Sequence, residues 1–285
     1  MSAAGEPFSR RREVSATSAR SLLLTVLGEF VLPAGAPVWT QSLLDALALV
    51  GVEEKSARQA LARIAADDVV GSTREGRRVR WALTTPGHRL LSEGAARIYA
   101  HGARRPAWDG RWLVLVVTVP EAQRALRHRL RTRLAWAGLG SPAPGVWVCP
   151  DPHRARDAQR VLDEAGLGDA AISVVGDTVG GMTAERLVDQ AWDLRDLEEG
   201  YEEFLAGVGA EDPRSDTEAL AAQIRLVDAW RRFPLLDPGL PPELLPARWA
   251  GARATALFRA RHTVWRPGAE RAWAALDQSS AGQSS

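Results

Sequence analysis

The chain contains little of the chemistry that cross-links secreted proteins or anchors membrane proteins. Cys149 is the single cysteine among 285 residues, which excludes an internal disulfide framework and every CxxC motif for metal or redox chemistry. No apolar run reaches the length of a membrane-spanning helix, and the first residues lack the hydrophobic centre of a signal peptide. The composition therefore predicts a cytoplasmic protein with no membrane partner.

Motifs of the common catalytic sites are missing as well. There is no Walker loop, HExxH, GxSxG or dinucleotide-binding glycine pattern, and the glycine-rich segment 176–181 lacks the GK[ST] of a phosphate-binding loop. No two histidines share a helix at metal-ligand spacing among His88, His101, His128, His153 and His262. The sequence therefore predicts no catalytic residue, no metal and no cofactor, and thus a protein that is not an enzyme.

Charge is divided unevenly along the chain, although the net charge is only +1. Residues 1–140 carry 21 basic and 12 acidic residues, whereas residues 141–285 carry 15 basic and 23 acidic residues. A basic half is typical of a protein that binds a polyanion, although the two halves could also attract one another.

The most informative segment is a short basic helix predicted from Glu53 to Ala66. Ala57, Leu61 and Ile64 recur at the i, i+4, i+7 spacing of a buried stripe. At about 100° per residue, the opposite face carries the polar residues Lys55, Ser56, Arg58, Gln59 and Arg63.

An arginine-rich hairpin follows this helix. Glu75-Gly76 predicts a turn between two short strands, and four arginines surround it: Arg74, Arg77, Arg78 and Arg80. A polar, basic helix followed by a basic hairpin is typical of a winged helix-turn-helix, whose helix enters the major groove of duplex DNA while the wing contacts phosphates. The alternative is that both features are solvated, charged surface.

Capping signals organise the N-terminal part of the chain. Residues 1–17 are polar and lack periodicity, which predicts a disordered arm. Two helices precede the third, and their candidate N-cap residues are Ser18 or Ser21 and then Thr40. Together with the hairpin, the three helices form a predicted winged-helix domain over residues 18–86, followed by a linker helix over residues 87–107.

A second domain begins at Trp112 with the apolar run WLVLVVTV, which is typical of a buried central strand. Strands and helices then alternate in the order βαββαβ, which predicts a ferredoxin-like domain over residues 108–180. Residues 181–276 are predicted to form a C-terminal helical domain whose last helix runs from Ala250 to Trp265. Residues 277–285 are predicted to be a disordered tail. The expected fold is α+β and multidomain.

These motifs resemble the PaaX family of bacterial transcriptional regulators, whose members control phenylacetate and related aromatic-acid catabolism. The resemblance is colinear over residues 20–270 and is carried by SLLLTVLGEFVLP (21–33), GVEEKSARQALARI (51–64), EGRRVRWALT (75–84), WDGRWLVLVV (108–117), LRHRLRTRLAWAGLGSPAPGVWV (126–148), AWDL (191–194) and WRRFPLLDPGLPPELLP (230–246).

The resemblance implies a winged-helix domain, a middle domain like that of the small CRISPR-associated ribonucleases, and a C-terminal helical domain. It also implies a homodimeric repressor of an aromatic or organic acid catabolic operon. Such a repressor binds a promoter operator in double-stranded DNA and is released by an aryl-acetyl coenzyme A thioester such as phenylacetyl-CoA.

On the matching positions, the helix from Glu53 to Ala66 is the recognition helix, and its polar residues are candidates for base and phosphate contacts. Arg58 and Gln59 are the stronger candidates for base readout, because arginine bonds guanine bidentately and glutamine does the same with adenine. The four hairpin arginines are expected to hold the phosphate backbone.

A second basic stripe lies on the helix predicted from Glu121 to Ala137, at the i, i+3, i+4, i+7 spacing: Arg124, Arg127, His128 and Arg131. The stripe could dock against the acidic half of the chain, hold the phosphates of a coenzyme A effector, or contact DNA. Trp136 and Trp147 could line an aromatic acyl pocket or belong to the core.

Two alternative functions remain at the level of sequence. A ribonuclease-like middle domain suggests a metal-dependent nuclease, but those nucleases place a carboxylate at the end of the first strand, where this chain has Val117, Thr118 and Val119. The other alternative is a DNA-binding protein that responds to no small ligand.

Overall fold

The computed structural model describes residues 18–102, 107–178 and 180–282. The chain divides into two compact units. The terminal unit combines residues 18–101, 202–232 and 252–282, and the central unit combines Gly102–Tyr201 with Phe233–Gly251. The predicted arm of residues 1–17 lies outside the described residues.

The terminal unit begins with helices that lead into a small sheet. Its first elements are α1 (Ala19–Val26), a π-helical segment (Leu27–Val31), α2 (Leu32–Ala34), β1 (Val38–Trp39), α3 (Thr40–Ala48), α4 (Glu54–Ala66), β2 (Val70–Glu75), β3 (Arg78–Leu83) and α5 (Thr85–Ala100). The Ser18 hydroxyl accepts a hydrogen bond from the Ser21 N–H at 3.1 Å, and so caps α1 as predicted. Thr40 is instead the first residue of α3, and its hydroxyl donates to the Val79 carbonyl at 3.0 Å.

The three strands are antiparallel in the order β1-β3-β2, so β3 is the central strand. Glu75 is paired with Arg78 across the hairpin, so the connecting loop is Gly76-Arg77 rather than Glu75-Gly76. Gly76 has a φ of 63°, a left-handed conformation that glycine adopts without steric cost. The turn therefore lies one residue further along the chain than the sequence indicates.

One hydrophobic core joins the N-terminal helices to helices from the last third of the chain. α10 (Asp216–Trp230) contributes Leu220 and Ile224, and α12 (Ala250–Gly282) contributes Ala269 and Ala272. They belong to the same cluster as the buried leucines of α1, α3 and α4. The apolar faces of these helices are thus buried against the N-terminal ones, while the C-terminal helical domain over residues 181–276 stays a prediction.

The last helix is longer than the sequence predicts. α12 continues through Pro267 to Gly282, so the prediction of a disordered tail is wrong for residues 277–282. Ser280 is buried, and Asp277 accepts a hydrogen bond from the Ser42 hydroxyl at 2.9 Å. Tertiary contacts of this kind hold a segment in helical form where its composition predicts disorder.

The central unit is built on a four-stranded antiparallel sheet. Its elements are β4 (Trp112–Val117), α6 (Arg124–Trp136), β5 (Gly140–Ala143), β6 (Val146–Cys149), α7 (Ala155–Glu164), β7 (Ala171–Gly176), α8 (Ala184–Ala191), the first part of α9 (Leu194–Gly209), and α11 (Phe233–Leu236). The strands lie in the order β5-β6-β4-β7, so β4 and β6 occupy the centre. Together with the sheet and helices of the terminal unit, this sheet makes the described chain α+β, as predicted.

The two faces of β4 are buried unequally. Leu113, Leu115 and Val117 belong to one core with residues of α6 and α7. Val116, on the other face, is 41% exposed. The run WLVLVVTV predicts a strand buried on both sides, but α6 and α7 both cover the same face of the sheet.

A close backbone approach at the start of α5 yields a stability prediction. A Cβ at Gly87 would lie 1.9 Å from the carbonyl oxygen of Val69 and 2.8 Å from its carbonyl carbon. We expect Gly87→Ala to lower the free energy of unfolding by about 1–3 kcal/mol, because backbone must move to accommodate the methyl group. Thermal unfolding measures the change.

Gly94→Ala in the same helix is the matched control, since a Cβ at Gly94 meets nothing within 4 Å. This control should be neutral or stabilise by up to about 1 kcal/mol, because alanine favours the helix. Equal unfolding temperatures for the two variants would contradict the close approach.

Candidate nucleic-acid interface

The polar face of α4 is a continuous exposed surface. The buried face consists of Ala57, Ala60, Leu61 and Ile64. The structure exposes all five residues of the opposite, predicted recognition face: Lys55, Ser56, Arg58, Gln59 and Arg63. We call these five residues the α4 face. Long polar side chains projecting from one side of a helix are what insertion into a major groove requires.

Arg58 already has a partner on the α4 helix. Its guanidinium pairs with the Glu54 carboxylate four residues earlier at 2.7 Å, and both side chains are more than half exposed. An exposed pair of this kind is worth only about 0.3–0.5 kcal/mol. The pair orients Arg58 but would yield readily to a stronger hydrogen-bonding partner.

The four hairpin arginines fall into two groups. Arg74 and Arg77 are exposed beside the turn. Arg78 and Arg80 are half-buried, because they alternate on one face of the central strand β3 and pack over Trp39 of β1. Their guanidinium carbons lie 3.8 and 4.8 Å from the Trp39 ring centroid.

Hydrogen bonds hold the half-buried pair further. Arg78 donates to the carbonyl of Ala281 at 3.1 Å, and Arg80 donates to the carbonyl of Pro37 at 2.9 Å. Arg80 also lies 3.6 Å from a carboxylate oxygen of Glu75. The sequence groups the four arginines alike, but the structure gives Arg78 and Arg80 a bracing role in the hairpin.

Trp39 supports two arginines of the hairpin, and no motif in the sequence indicates this role. Its ring is the platform for two arginines, and the neighbouring Thr40 hydroxyl accepts the Trp81 indole N–H at 2.9 Å. The strand that carries Trp39 is only two residues long. A strand this short leaves no periodic signal in the sequence.

The second predicted set of residues lies in the central unit, beside a cavity of about 410 Å³. Three of the six line the cavity: Arg127, Arg131 and Trp147. Arg124 and His128 are exposed on α6, and Trp136 is 56% exposed; none of these three lines the cavity.

The cavity is amphipathic. Its apolar wall includes Leu130 and Trp147, and its polar side includes Arg127 and Arg131. Arg127 donates to the Glu121 carboxylate at 3.1 Å, and this hydrogen bond and charge hold the pKa of the Glu121 carboxyl below its usual range. The site thus combines a small apolar volume with guanidinium groups at its edge.

Neither a metal-binding cluster nor a membrane-spanning helix occurs in the described ranges. No cluster of three or more His, Cys, Asp or Glu side chains with metal-binding geometry occurs among these residues. Within the same ranges, no helix is long and apolar enough to cross a membrane.

Comparison with known proteins covers nearly the whole described chain. Residues 18–87 match the model of a PaaX-like protein, residues 105–188 match the PaaX protein central Cas2-like domain, and residues 192–275 match the PaaX-like protein C-terminal domain. The Transcriptional repressor PaaX of Escherichia coli K12 is 32% identical over 251 residues, which is 84% of this chain and 78% of that protein.

A solved structure also resembles the chain. It is an uncharacterised protein, Rv0674, from Mycobacterium tuberculosis, with a TM-score of 0.62 and 26% sequence identity, covering 89% of this chain and 98% of that one. The comparisons group the chain with a regulator of transcription and not with an enzyme. The chain belongs to the PaaX family.

The Trp39 platform yields a prediction about the hairpin. Trp39→Leu removes the ring face from Arg78 and Arg80, and each such contact is worth about 0.5–1 kcal/mol. Two contacts together are worth about 1–2 kcal/mol, so we expect trypsin to cleave between residues 74 and 80 about five to thirty times faster in this variant, because the hairpin opens more often. Mass spectrometry of a timed digest measures the rate.

Trp136→Leu is the control, because Trp136 is exposed on α6 in the other unit. Cleavage in the hairpin should be unchanged in this variant. If Trp39→Leu leaves the rate at that of the unaltered chain, the platform does not brace the hairpin.

Proposed function

We propose that the chain is a sequence-specific DNA-binding transcriptional repressor. The observation that carries the proposal is the exposed α4 face together with the exposed Arg74 and Arg77 of the hairpin that follows it in the chain. The name of the Escherichia coli relative, a transcriptional repressor, supports the same function. DNA is a polyanion, and this surface offers cations together with side chains that can bond to base edges.

The geometry supports a winged helix-turn-helix as the DNA-binding fold. α1, α3 and α4 share a core, α4 presents its polar face to solvent, and the β2–β3 hairpin follows it directly. In the proposed complex α4 enters the major groove and the hairpin is the wing. We propose residues 18–86 as the bounds of this winged-helix domain.

Distinct roles are proposed for the residues of this surface. Arg58 and Gln59 read base edges, because their side chains can form bidentate hydrogen bonds with guanine and adenine. Lys55, Ser56 and Arg63 supply further base or phosphate contacts. Arg74 and Arg77 hold phosphates from the wing, whereas Arg78 and Arg80 support the wing from within.

For the central unit we propose a ferredoxin-like fold. The elements follow the order βαββαβ, and the first and third strands of this series, β4 and β6, lie in the middle of the sheet. The antiparallel pairing of every adjacent strand pair agrees with this arrangement.

An acyl-coenzyme A thioester such as phenylacetyl-CoA is proposed as the effector that releases the repressor from its operator. The cavity beside Arg127, Arg131 and Trp147 suits the aromatic acyl group of such a ligand, and Arg124 and His128 lie on the same helix for its phosphates. Release from DNA is proposed to act on a homodimer, because two winged domains must match the spacing of two half-sites.

DNA binding is tested with alanine variants of the proposed contacts. The assay is fluorescence anisotropy of a duplex from the region upstream of the chain's own gene. Arg58→Ala should weaken binding to this duplex by about 1–3 kcal/mol and reduce discrimination against an unrelated duplex. Arg77→Ala should weaken binding to both duplexes alike and lower the slope of log K against log salt by about one.

Arg160→Ala serves as the control for loss of a positive charge, since Arg160 is exposed in the central unit. It should bind both duplexes like the unaltered chain. If Arg58→Ala behaves like this control, the α4 face is solvated surface and the proposed function fails.

The effector site is tested by charge reversal in the cavity. Arg127→Glu should keep its affinity for DNA but require at least about tenfold more phenylacetyl-CoA for release, because a carboxylate repels the anionic ligand. Titration of the protein–DNA complex with phenylacetyl-CoA measures the release. Arg129→Glu is matched in charge and helix but does not line the cavity, and should respond normally.

Equal responses of Arg127→Glu and Arg129→Glu would place the effector elsewhere. A complex of the unaltered chain that ignores phenylacetyl-CoA would discard the proposed ligand and leave DNA binding standing.

A further inference from the structure

The end of α12 lies against the start of α3, although the two are more than 200 residues apart in sequence. One carboxylate oxygen of Asp277 accepts hydrogen bonds from the Trp39 backbone N–H at 3.4 Å and from the Ser42 hydroxyl at 2.9 Å. Trp39 is the N-cap residue of α3 and caps it with no side-chain hydrogen bond of its own.

Asp277 therefore supplies a cap that the sequence of α3 lacks. In a capping box, an acidic or amide side chain three residues into the helix reaches back to the N–H of the cap residue. Here that third position is Ser42. Its hydroxyl donates to the Asp277 carboxylate, which also accepts the hydrogen bond of the Trp39 N–H. A negative charge is also favourable at a helix N-terminus because of the helix dipole.

The same turn of α12 reaches the hairpin. The carbonyl of Ala281 accepts a hydrogen bond from Arg78 at 3.1 Å, and Arg78 lies over the Trp39 ring. Asp277 thus binds the start of α3, and Ala281 binds the arginine that packs over the same tryptophan. We call this cluster, formed by Trp39, Ser42, Arg78, Asp277 and Ala281, the α12 clasp.

The end of α12 is itself firmly packed. Trp273 stacks on Phe30 with ring centroids 5.3 Å apart, and Ala269, Ala272 and Ser280 are buried. Asp277 therefore lies on a helix that is held in place by packing. Its carboxylate can fix the position of the groups that bond to it.

We infer that Asp277 is a positioning residue for the DNA-binding surface of this chain. Through Trp39 and Ser42 it fixes the start of α3, and through the Trp39 platform it fixes the hairpin that carries Arg74 and Arg77. The effect of Asp277 on DNA binding rests on the proposed function. The contacts of the clasp can be measured without DNA.

The test compares Asp277→Ala with Asp277→Asn, which keeps an acceptor oxygen and removes the charge. Hydrogen exchange of peptides covering residues 38–43 and 74–80, without DNA, measures the clasp. Anisotropy with the upstream duplex at several salt concentrations measures the interface. Glu270→Gln is the control, because Glu270 pairs on the same helix with Arg266 at the surface.

Asp277→Ala should speed exchange in both peptides and weaken DNA binding about threefold to tenfold, the effect of losing one good helix cap. Its salt slope should fall by about one, because the wing loses a phosphate contact. Asp277→Asn should stay close to the unaltered chain, because its oxygen still accepts both hydrogen bonds. A thermal scan identifies any variant that fails to fold.

Ser42→Ala alone carries the test if Asp277→Ala does not fold, and a double-mutant cycle otherwise shows whether the two residues act through one contact. Ser42→Ala removes the other side of the 2.9 Å contact and should have a smaller effect than Asp277→Ala. In the combined variant, the loss in the free energy of local opening should be smaller than the sum of the two single losses. Both substitutions remove the same contact.

The inference is overturned if Asp277→Ala exchanges and binds like Glu270→Gln, if Asp277→Asn is as impaired as Asp277→Ala, or if the cycle is additive. If the unaltered chain shows no specific DNA binding while exchange responds as described, the proposed function fails and the clasp stands. The DNA-binding part of the inference then falls with the function.

Discussion

The core shared by both ends of the chain is the constraint on which the terminal unit depends. α1, α3 and α4 have one wide apolar face between them, and α10 and α12 cover part of it with leucine, isoleucine and alanine side chains. Small residues such as Ala269 and Ala272 permit close helix packing at that point. The orientation of α4, and therefore the exposure of its polar face, follows from this arrangement. A mutation in α12 can thus disturb the α4 face, although none of the five residues of that face lies on α12.

The basic residues of the hairpin show how one residue type can serve two purposes. Arginine is planar and weakly hydrated, so it can stack on an aromatic ring as readily as it can pair with phosphate. The pleat of β3 puts Arg78 and Arg80 on the face toward Trp39, whereas Arg74 and Arg77 remain in solvent. The inner pair gives the hairpin a defined shape, and the outer pair is exposed to solvent. Rigid support beneath exposed contacts lowers the entropy lost on binding.

In the central unit, the residues that follow β4 lack the carboxylate that metal-dependent nucleases place at the end of their first strand. Residues 105–188 match the model of a Cas2-like domain, but β4 is followed by Thr118 and Val119, and the first carboxylate, Glu121, is paired with Arg127. That carboxylate contributes to the edge of an amphipathic cavity rather than to a cluster of acids. The same cavity brings Arg127 and Arg131 together with Trp147, which lies on a different element.

Local periodicity in the sequence determined the α+β class, the buried and exposed faces of α4, and the order of strands and helices in the central unit, because these depend on neighbours within a few turns. The family could be recognised from colinear motifs. Only the tertiary structure decided that α10 and α12 complete the N-terminal core, that Arg78 and Arg80 brace the hairpin, and that residues 277–282 are helical. It alone brought Asp277 to Ser42, 235 positions away. Contacts at such separations depend on how whole faces pack, and no local pattern in the sequence encodes that choice.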